Sequence, residues 1–315
     1  MPFVRDQASL LITFSGVLLI LSLATAGFLA LRQWRPQPNL AKVGDRIRLT
    51  WTLAFVFLLA IFFGPTILIL YIAFLSFLAL KEFLSITPTR RSDRRVLFFA
   101  YLAISLQFFL VWLRWYQLFV IFIPIWIFLV LPTLMVWTGD TAGFLRAVAT
   151  LGWGIMTTVF SLGYLAYLLV LPPPDHPAVE GIGLFLFLVV ITQLSDISQF
   201  LLGKLFNQPW LRLKVTTTRT WASLLGGVPA TALISWLAGP LLTPLSGLEA
   251  IGVGAVIAVG GFVGYITTAA IKSDLKLKDR GTMTPGQGGV LNRIDTLMYS
   301  APLFFYLVLY LHYGL

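Results

Sequence analysis

Ten apolar runs, near residues 8–31, 50–63, 66–80, 96–113, 116–137, 147–171, 181–202, 222–239, 249–271 and 297–313, take up most of the chain. A helix needs roughly 20 residues to cross a bilayer, and a chain in lipid must satisfy its backbone hydrogen bonds within each span. The runs are long and do not alternate apolar with polar residues, as barrel strands must. The expected fold is therefore all-α, a polytopic integral membrane protein with about ten transmembrane helices. The two short runs after Thr50 are split by Gly64 and Pro65, so one long kinked helix or a re-entrant pair is an alternative there. Composition agrees: 58% of the 315 residues are hydrophobic, 11% are charged, and the mean hydropathy is +0.91. A soluble chain of this length needs far more polar surface.

The first run contains Ala24-Thr25-Ala26, which resembles a signal-peptidase site. Arg5 and Asp6 cancel, however, and the apolar run continues through Leu31, so a retained anchor is expected. The basic residues then set orientation. Segments 32–48, 81–95, 203–219 and 272–293 hold nineteen of the twenty-two Lys and Arg, and Arg146 lies in a fifth loop on the same side. Only Arg5 and Arg114 fall opposite. The positive-inside rule places these five loops in the cytoplasm of a multi-pass cell-membrane protein, with both termini outside. The segment PPPDHPAVEG at 172–181 carries acids and no Lys or Arg, as an outer loop should.

The chain has no cysteine, which excludes disulfides, thiol catalysis and Cys-built metal sites. His176 and His312 are the only histidines, too few for a His-built metal site or a His-dependent triad. A net charge of +10 can signal nucleic acid, but the charges here lie between membrane spans. Anionic lipid head groups and phosphate substrates are the expected partners, and nucleic acid is not.

Three polar patches fall on the expected cytoplasmic side. Asp196 lies within an apolar run, where an ionised carboxylate is costly and marks function or a paired charge. Gln199 shares its helical face, and Lys204 follows two turns later. The second patch, KVTTTRTWASLLGG from Lys214, sets threonines and Arg219 before an apolar helix. It reads equally as an anion site at a helix N-terminus or as a plain N-cap from Thr218 or Thr220. The third patch, KSDLKLKDRGTMTPGQGGVLNRID over 272–295, combines Lys272, Lys276, Lys278, Arg280 and Arg293 with Asp274, Asp279 and Asp295 around Gly286, Gly288 and Gly289. Cations with a Gly-rich backbone suit phosphate, and carboxylates nearby suit Mg²⁺. Asp279 and Asp295 are expected in a polar surrounding, serving ligands rather than the fold. No Walker sequence is present. Gly260 and Gly264 form a small-xxx-small pair, expected to be a helix-packing face.

These residues resemble the phosphatidate cytidylyltransferase family, and the chain resembles a divergent member. Its ending, S-x-x-K-R-x-x-x-x-K-D-x-x-x-x-x-P-G-H-G-G-x-x-D-R-x-D, is matched without a gap by Ala269 to Ser273, Lys278-Asp279, Pro285-Gly286-Gln287-Gly288-Gly289 and Asn292-Arg293-Ile294-Asp295. Upstream, Ser195-Asp196, Gly203-Lys204-Leu205-Phe206 and Thr216 to Trp221 stand where the family has its Asn/Ser-Asp, G-K-x-F-G and S-P-x-K-T-W elements. Lys81-Glu82-Phe83 is similar to one bacterial branch. The resemblance divides the chain into N-terminal membrane helices over 1–80 and a cytidylyltransferase-like membrane domain over 81–315 with a cytoplasmic-side site.

The resemblance implies transfer of CMP from CTP to phosphatidate, giving CDP-diacylglycerol and pyrophosphate, with Mg²⁺ as cofactor and a homodimer left open. It implies Asp279, Asp295, Lys272 and Lys278 in catalysis. Arg219, Thr220, Lys204, Gly286, Gly288, Gly289 and Arg293 would bind substrate, and Asp196, Asp279, Asp295 and Asn292 would face the metal. Departures fall at Ala269, Ser273, Gln287 and Asn292, and at Tyr265, where the family has the Asp of a G-D-L element. They motivate the alternative of a repurposed homologue that binds lipid or nucleotide, or regulates, without turnover. A transporter would show two repeated halves with broken helices, and no such repeat is present.

Overall fold

The computed structural model describes residues 65–88, 90–137, 139–171, 181–205, 219–275 and 289–314, together with Ser22, Thr25 and Trp51. Among them, eight helices are long and apolar enough to cross a membrane. We number them α1 (Pro65–Ile86), α2 (Arg94–Trp112), α3 (Tyr116–Val136), α4 (Phe144–Val170), α5 (Gly181–Leu205), α6 (Trp221–Leu242), α7 (Gly247–Asp274) and α8 (Leu291–Tyr313). They coincide with the last eight of the ten apolar runs. Apart from Ser22, Thr25 and Trp51, the runs at 8–31 and 50–63 lie outside the described residues. No strand occurs among the described residues, and the chain is an all-α, multi-pass membrane protein.

Local chemistry sets the helix ends. α1 begins at Pro65, whose fixed φ and missing N–H suit the first helical position. α6 and α7 each open on a capping box. Thr220 accepts from the Ser223 N–H while Ser223 accepts from the Thr220 N–H, and Ser246 and Glu249 repeat the exchange. Gly143, which precedes α4, takes the left-handed backbone (φ 64°) that a side chain would resist.

Two helices carry π-turns. The turn at Phe122–Ile127 in α3 contains Pro124, which cannot donate to the helical ladder. The turn at Met156–Phe160 in α4 contains hydroxyl bonds from Thr157 to the Trp153 carbonyl and from Thr158 to the Gly154 carbonyl, back-bonds of the kind that disturb a helical ladder. Ser76 of α1 donates to the Thr158 carbonyl at 2.8 Å, so the disturbed ladder is satisfied across the helix interface. Towards one end of the bundle, Phe119, Phe160, Tyr164, Tyr167 and Phe305 stack together, and the Tyr164 and Tyr306 hydroxyls share a hydrogen bond at 2.8 Å.

Helices in lipid gain little from burying apolar surface, so close approach depends on small residues. α5 to α8 follow this rule. A Cβ on Gly254 would fall 2.4 Å from the Ser235 Cβ, and one on Gly239 would fall 2.5 Å from the Ala250 Cβ. A Cβ on Gly264 would stand 2.3 Å from the Asp295 carbonyl oxygen, and one on Gly260 would stand 2.8 Å from Leu303. The Gly260/Gly264 pair is thus the packing face of α7 against α8.

Side-chain contacts join two of the interhelical connections. Arg90 donates to the Asp140 and Ala142 carbonyl oxygens at 2.8 and 3.0 Å and pairs with Asp93 at 2.7 Å. This bond set joins the α1–α2 connection to the α3–α4 connection on one face. Ser92 and the Ala142 N–H bond the Asp140 carboxylate and, with Arg90 near, hold it below the usual carboxylate range. The end of α1 meets the start of α8 on the same face through Glu82, described below.

Candidate active site at the ends of α5 to α8

Arg219, at the residue before the Thr220 cap, turns into the bundle and is 5% exposed. Its guanidinium donates to Asp196 Oδ1 of α5 at 2.6 Å and to Gln199 Oε1 one turn further along the same helix. It also lies over the Tyr265 ring of α7, 4.6 Å from the centroid. The expectation that Asp196 and Gln199 share a face is met: both hold one arginine. Gln199 is fully buried and donates to Ser195 Oγ and to the Ala258 carbonyl of α7, each at 3.0 Å. Gly227 of α6 makes room for it, since a Cβ there would stand 2.2 Å from Gln199 Cγ.

α8 completes the cluster. Thr296 donates its hydroxyl to Asp196 Oδ2 at 3.2 Å, and its backbone N–H to Asp295 Oδ1 at 2.8 Å. Asp295 has Asp196, Lys272 and Arg219 as charged neighbours. Lys272, in the last turn of α7, donates to Asn292 Oδ1. Four helices therefore bring two carboxylates, an arginine and a lysine to one end of the bundle. Such a set can neutralise a polyphosphate and orient it, because Arg and Lys bind phosphate oxygens strongly where water is scarce.

The sequence expectations divide accordingly. Asp196, Asp295, Lys272, Arg219 and Asn292 converge. Thr220 is the N-cap of α6, with its hydroxyl accepting from Ser223, as the plain-cap reading holds. Arg293 stands in the first turn of α8, and Gly289 sits just before that helix. Lys204 is in the last turn of α5, its side chain outside the description. Lys278, Asp279, Gly286 and Gly288 lie outside the described residues. One expectation is corrected. Asp295 is 3% exposed inside α8 under Gly264, not in a polar Gly-rich surrounding, because α8 begins at Leu291.

Two residues matter more than sequence reasoning gave them. Tyr265 counted only as a lost carboxylate, yet its ring seats Arg219. Glu82 counted only as part of a short resemblance, yet it reaches the start of α8: the Leu291 N–H donates to its Oε2 at 3.1 Å. A buried Glu at the end of an apolar run was the signal available for it.

Among the described residues, no three His, Cys, Asp or Glu side chains come together as a metal cage. Asp196 and Asp295 alone still fit a hard cation of the Mg²⁺ kind, which takes one or two carboxylates and draws its remaining ligands from water and substrate phosphates.

The fold and the cluster define a class: an integral membrane protein with paired carboxylates and cations gathered at one end of a helical bundle. Comparison with known proteins narrows it. The profile of the cytidylyltransferase family matches residues 44–311, and the chain belongs to that family. It is 38% identical over 281 residues to the Uncharacterized protein YnbB of Escherichia coli (strain K12), covering 89% of this chain and 92% of that protein. It is 26% identical over 147 residues to the Phosphatidate cytidylyltransferase of Brucella abortus (strain 9-941), covering 47% of this chain and 54% of that enzyme. Against the Phosphatidate cytidylyltransferase 5, chloroplastic, of Arabidopsis thaliana it is 34% identical over 113 residues, 27% of that enzyme's length. The chain thus spans about half or less of these phosphatidate cytidylyltransferases. Family membership carries the general chemistry, cytidylyl transfer from CTP.

Proposed function

We propose that this chain transfers CMP from CTP to phosphatidate, forming CDP-diacylglycerol and pyrophosphate at the cytoplasmic ends of α5 to α8. The observation that carries this reading is the convergence of Asp196, Asp295, Arg219 and Lys272 at one end of a membrane bundle. A phosphatidate oxygen forms the new bond to the α-phosphorus of CTP, and the α–β bridging P–O bond breaks to release pyrophosphate. Phosphatidate is already an anion, so no base has to take a proton. The need is for charge neutralisation and in-line positioning. Arg219, Lys272 and Arg293, with Lys278 from the preceding segment, would hold phosphates. Asp196 and Asp295, with Asp279 and Asn292 as further candidates, would hold Mg²⁺, which when bound supplies neutralising charge to the triphosphate.

The test is direct. Purified protein with phosphatidate, radiolabelled CTP and Mg²⁺ should yield a labelled liponucleotide, and Arg219→Ala should abolish the label. A folded parent that makes none refutes the reading. Reporter fusions after Arg95 and after Lys214 should report cytoplasm, and one within 172–181 the outside. A cytoplasmic signal from the last would overturn the orientation.

A second reading has its own support. Lys272 is bonded to Asn292, and Arg219 to Asp196 and Gln199, so cations that would bind substrate are engaged within the protein. This favours a homologue that binds lipid or nucleotide without turnover. CTP or phosphatidate binding with no product would select it.

A further inference from the structure

We infer that Glu82 is a positioning residue whose carboxylate fixes the first turn of α8, and with it Asn292, Arg293 and Asp295, against α5 and α7. The kinetic side of this inference rests on the proposed reaction; the structural side does not.

α8 begins without a cap of its own. Val290 offers no side-chain bond, and the first turn holds no acid. Unpaired N–H groups at a helix start attract an anion, which a local Ser, Thr or Asp normally provides. Here the anion arrives from α1, 209 positions away in the sequence. Glu82 is 6% exposed, and burying a carboxylate is expensive unless it is bonded. A residue at position 290 could cap the helix at far lower cost. What a local cap cannot do is tie the start of α8 to a different helix.

Gly289 supports the same reading from the other partner. A Cβ at 289 would fall 1.5 Å from Glu82 Oε1 and 2.0 Å from its Cδ. A side chain at 289 and the carboxylate in its present place exclude each other. The carboxylate is therefore held by the Leu291 N–H and admitted by the missing side chain at 289. The α1 end is equally fixed: Phe83 packs where a Cβ on Gly154 would be, and Thr87 bonds the Phe83 carbonyl at 2.8 Å.

The consequence follows from spacing. Asn292, Arg293 and Asp295 stand one, two and four residues beyond Leu291, within a little more than one turn. A first turn free to rotate or fray displaces all three, and a misplacement of about 1 Å can cost on the order of 10²-fold in rate.

The experiment uses the full chain in detergent or nanodiscs, with Glu82→Gln, Glu82→Ala, Gly289→Ala and the Glu82→Ala/Gly289→Ala double variant. Glu82→Ala should lower kcat by about 10- to 100-fold with the KM for CTP nearly unchanged. Glu82→Gln keeps an acceptor oxygen and should retain most activity. Gly289→Ala should match Glu82→Ala, and the double variant should be no worse than either single, because removing the carboxylate frees space for the methyl. Amide deuterium uptake over 289–296 should rise about tenfold in Glu82→Ala and Gly289→Ala and stay near parental in Glu82→Gln. Multiplicative losses in the double variant, or unchanged uptake over 289–296 in Glu82→Ala, overturn the inference. If the parent shows no turnover, the reaction falls, and uptake still decides Glu82. If Glu82→Ala does not fold, uptake and kinetics of Glu82→Gln against Gly289→Ala decide it, and equal loss in both refutes the lock.

Discussion

Arg219 is the joint of the candidate site, and its replacement has a cost that can be worked from its contacts. Arg219→Ala removes a 2.6 Å bond to Asp196, a bond to Gln199 and a ring contact at 4.6 Å. A hydrogen bond to a charged group contributes about 1.5–3 kcal/mol, and a partly desolvated cation–π contact about 0.5–2 kcal/mol. The Asp196 side chain is 26% exposed, so water screens part of the pair and replaces part of what is lost. Gln199 is fully buried and keeps its Ser195 and Ala258 bonds, but its carbonyl oxygen is left without this donor. The expected destabilisation is about 2–5 kcal/mol. Arg219→Lys keeps a charge but not a planar fork, and should lose about 1–3 kcal/mol. Asp196→Asn removes the charge opposite Arg219, which keeps Gln199 and the Tyr265 ring, and should cost a similar amount. The double change Arg219→Ala with Asp196→Asn should recover at least about 1 kcal/mol relative to the sum. Denaturant unfolding in detergent, followed by tryptophan fluorescence, measures all four. If Arg219→Ala unfolds within about 0.5 kcal/mol of the parent and the cycle shows no coupling, the argument for a buried arginine joint is wrong.

Other expectations follow from single contacts. Gly264→Val should destabilise by about 1–3 kcal/mol or more, since the new carbon meets the Asp295 backbone rather than a movable side chain; parental melting would mean that α7 and α8 do not touch there. Asp140 is held below its usual pKa by Ser92, Ala142 and Arg90, so its tie between the two loops is whole above about pH 4 and is lost as pH falls through the lowered value. Amide exchange over 139–143 should therefore quicken on acidification in the parent and lose that extra dependence in Asp140→Asn. Asn292→Asp, alone or with Tyr265→Asp, should raise turnover or lower the Mg²⁺ requirement, each tenfold gain being about 1.4 kcal/mol of transition-state stabilisation. If the parent and both revertants stay folded and make no liponucleotide, the enzyme reading fails.

Period and length made the helices legible. Runs of about twenty apolar residues leave a chain in lipid no other structure, which is why the eight described spans fall on their runs, with ends that differ by at most six residues, at Ile86 and Leu291. The face shared by Asp196 and Gln199 was legible too, because helical spacing places them together whatever surrounds them. Contacts between distant segments were not. Nothing in the sequence pairs Glu82 with Leu291, or Tyr265 with Arg219, since both depend on how helices far apart in the chain come together. Asp295 was misjudged for a related reason: the Gly-rich sequence before it reads as loop, yet the helix begins at Leu291 and carries the carboxylate under α7.

The two positions where a carboxylate was expected share one feature. Tyr265 offers a ring face to Arg219, and Asn292 offers a neutral oxygen to Lys272. At 265 the ring lies under Arg219 while the ion pair of that arginine is made with Asp196, and at 292 Lys272 meets a neutral oxygen. A carboxylate at either position would add a ligand for a hard cation and would also compete with phosphate for Arg219 or Lys272, so the revertants gain turnover where the metal contribution is the larger. The described charges around Asp196 and Asp295 are then balanced by Arg219 and Lys272 rather than outweighed by acids. On the proposed reading, this balance shifts the work of binding CTP from resident anions holding metal towards fixed cations holding phosphate. Tyr265 and Asn292 thus share a role in the geometry: each seats a cation without carrying a charge of its own.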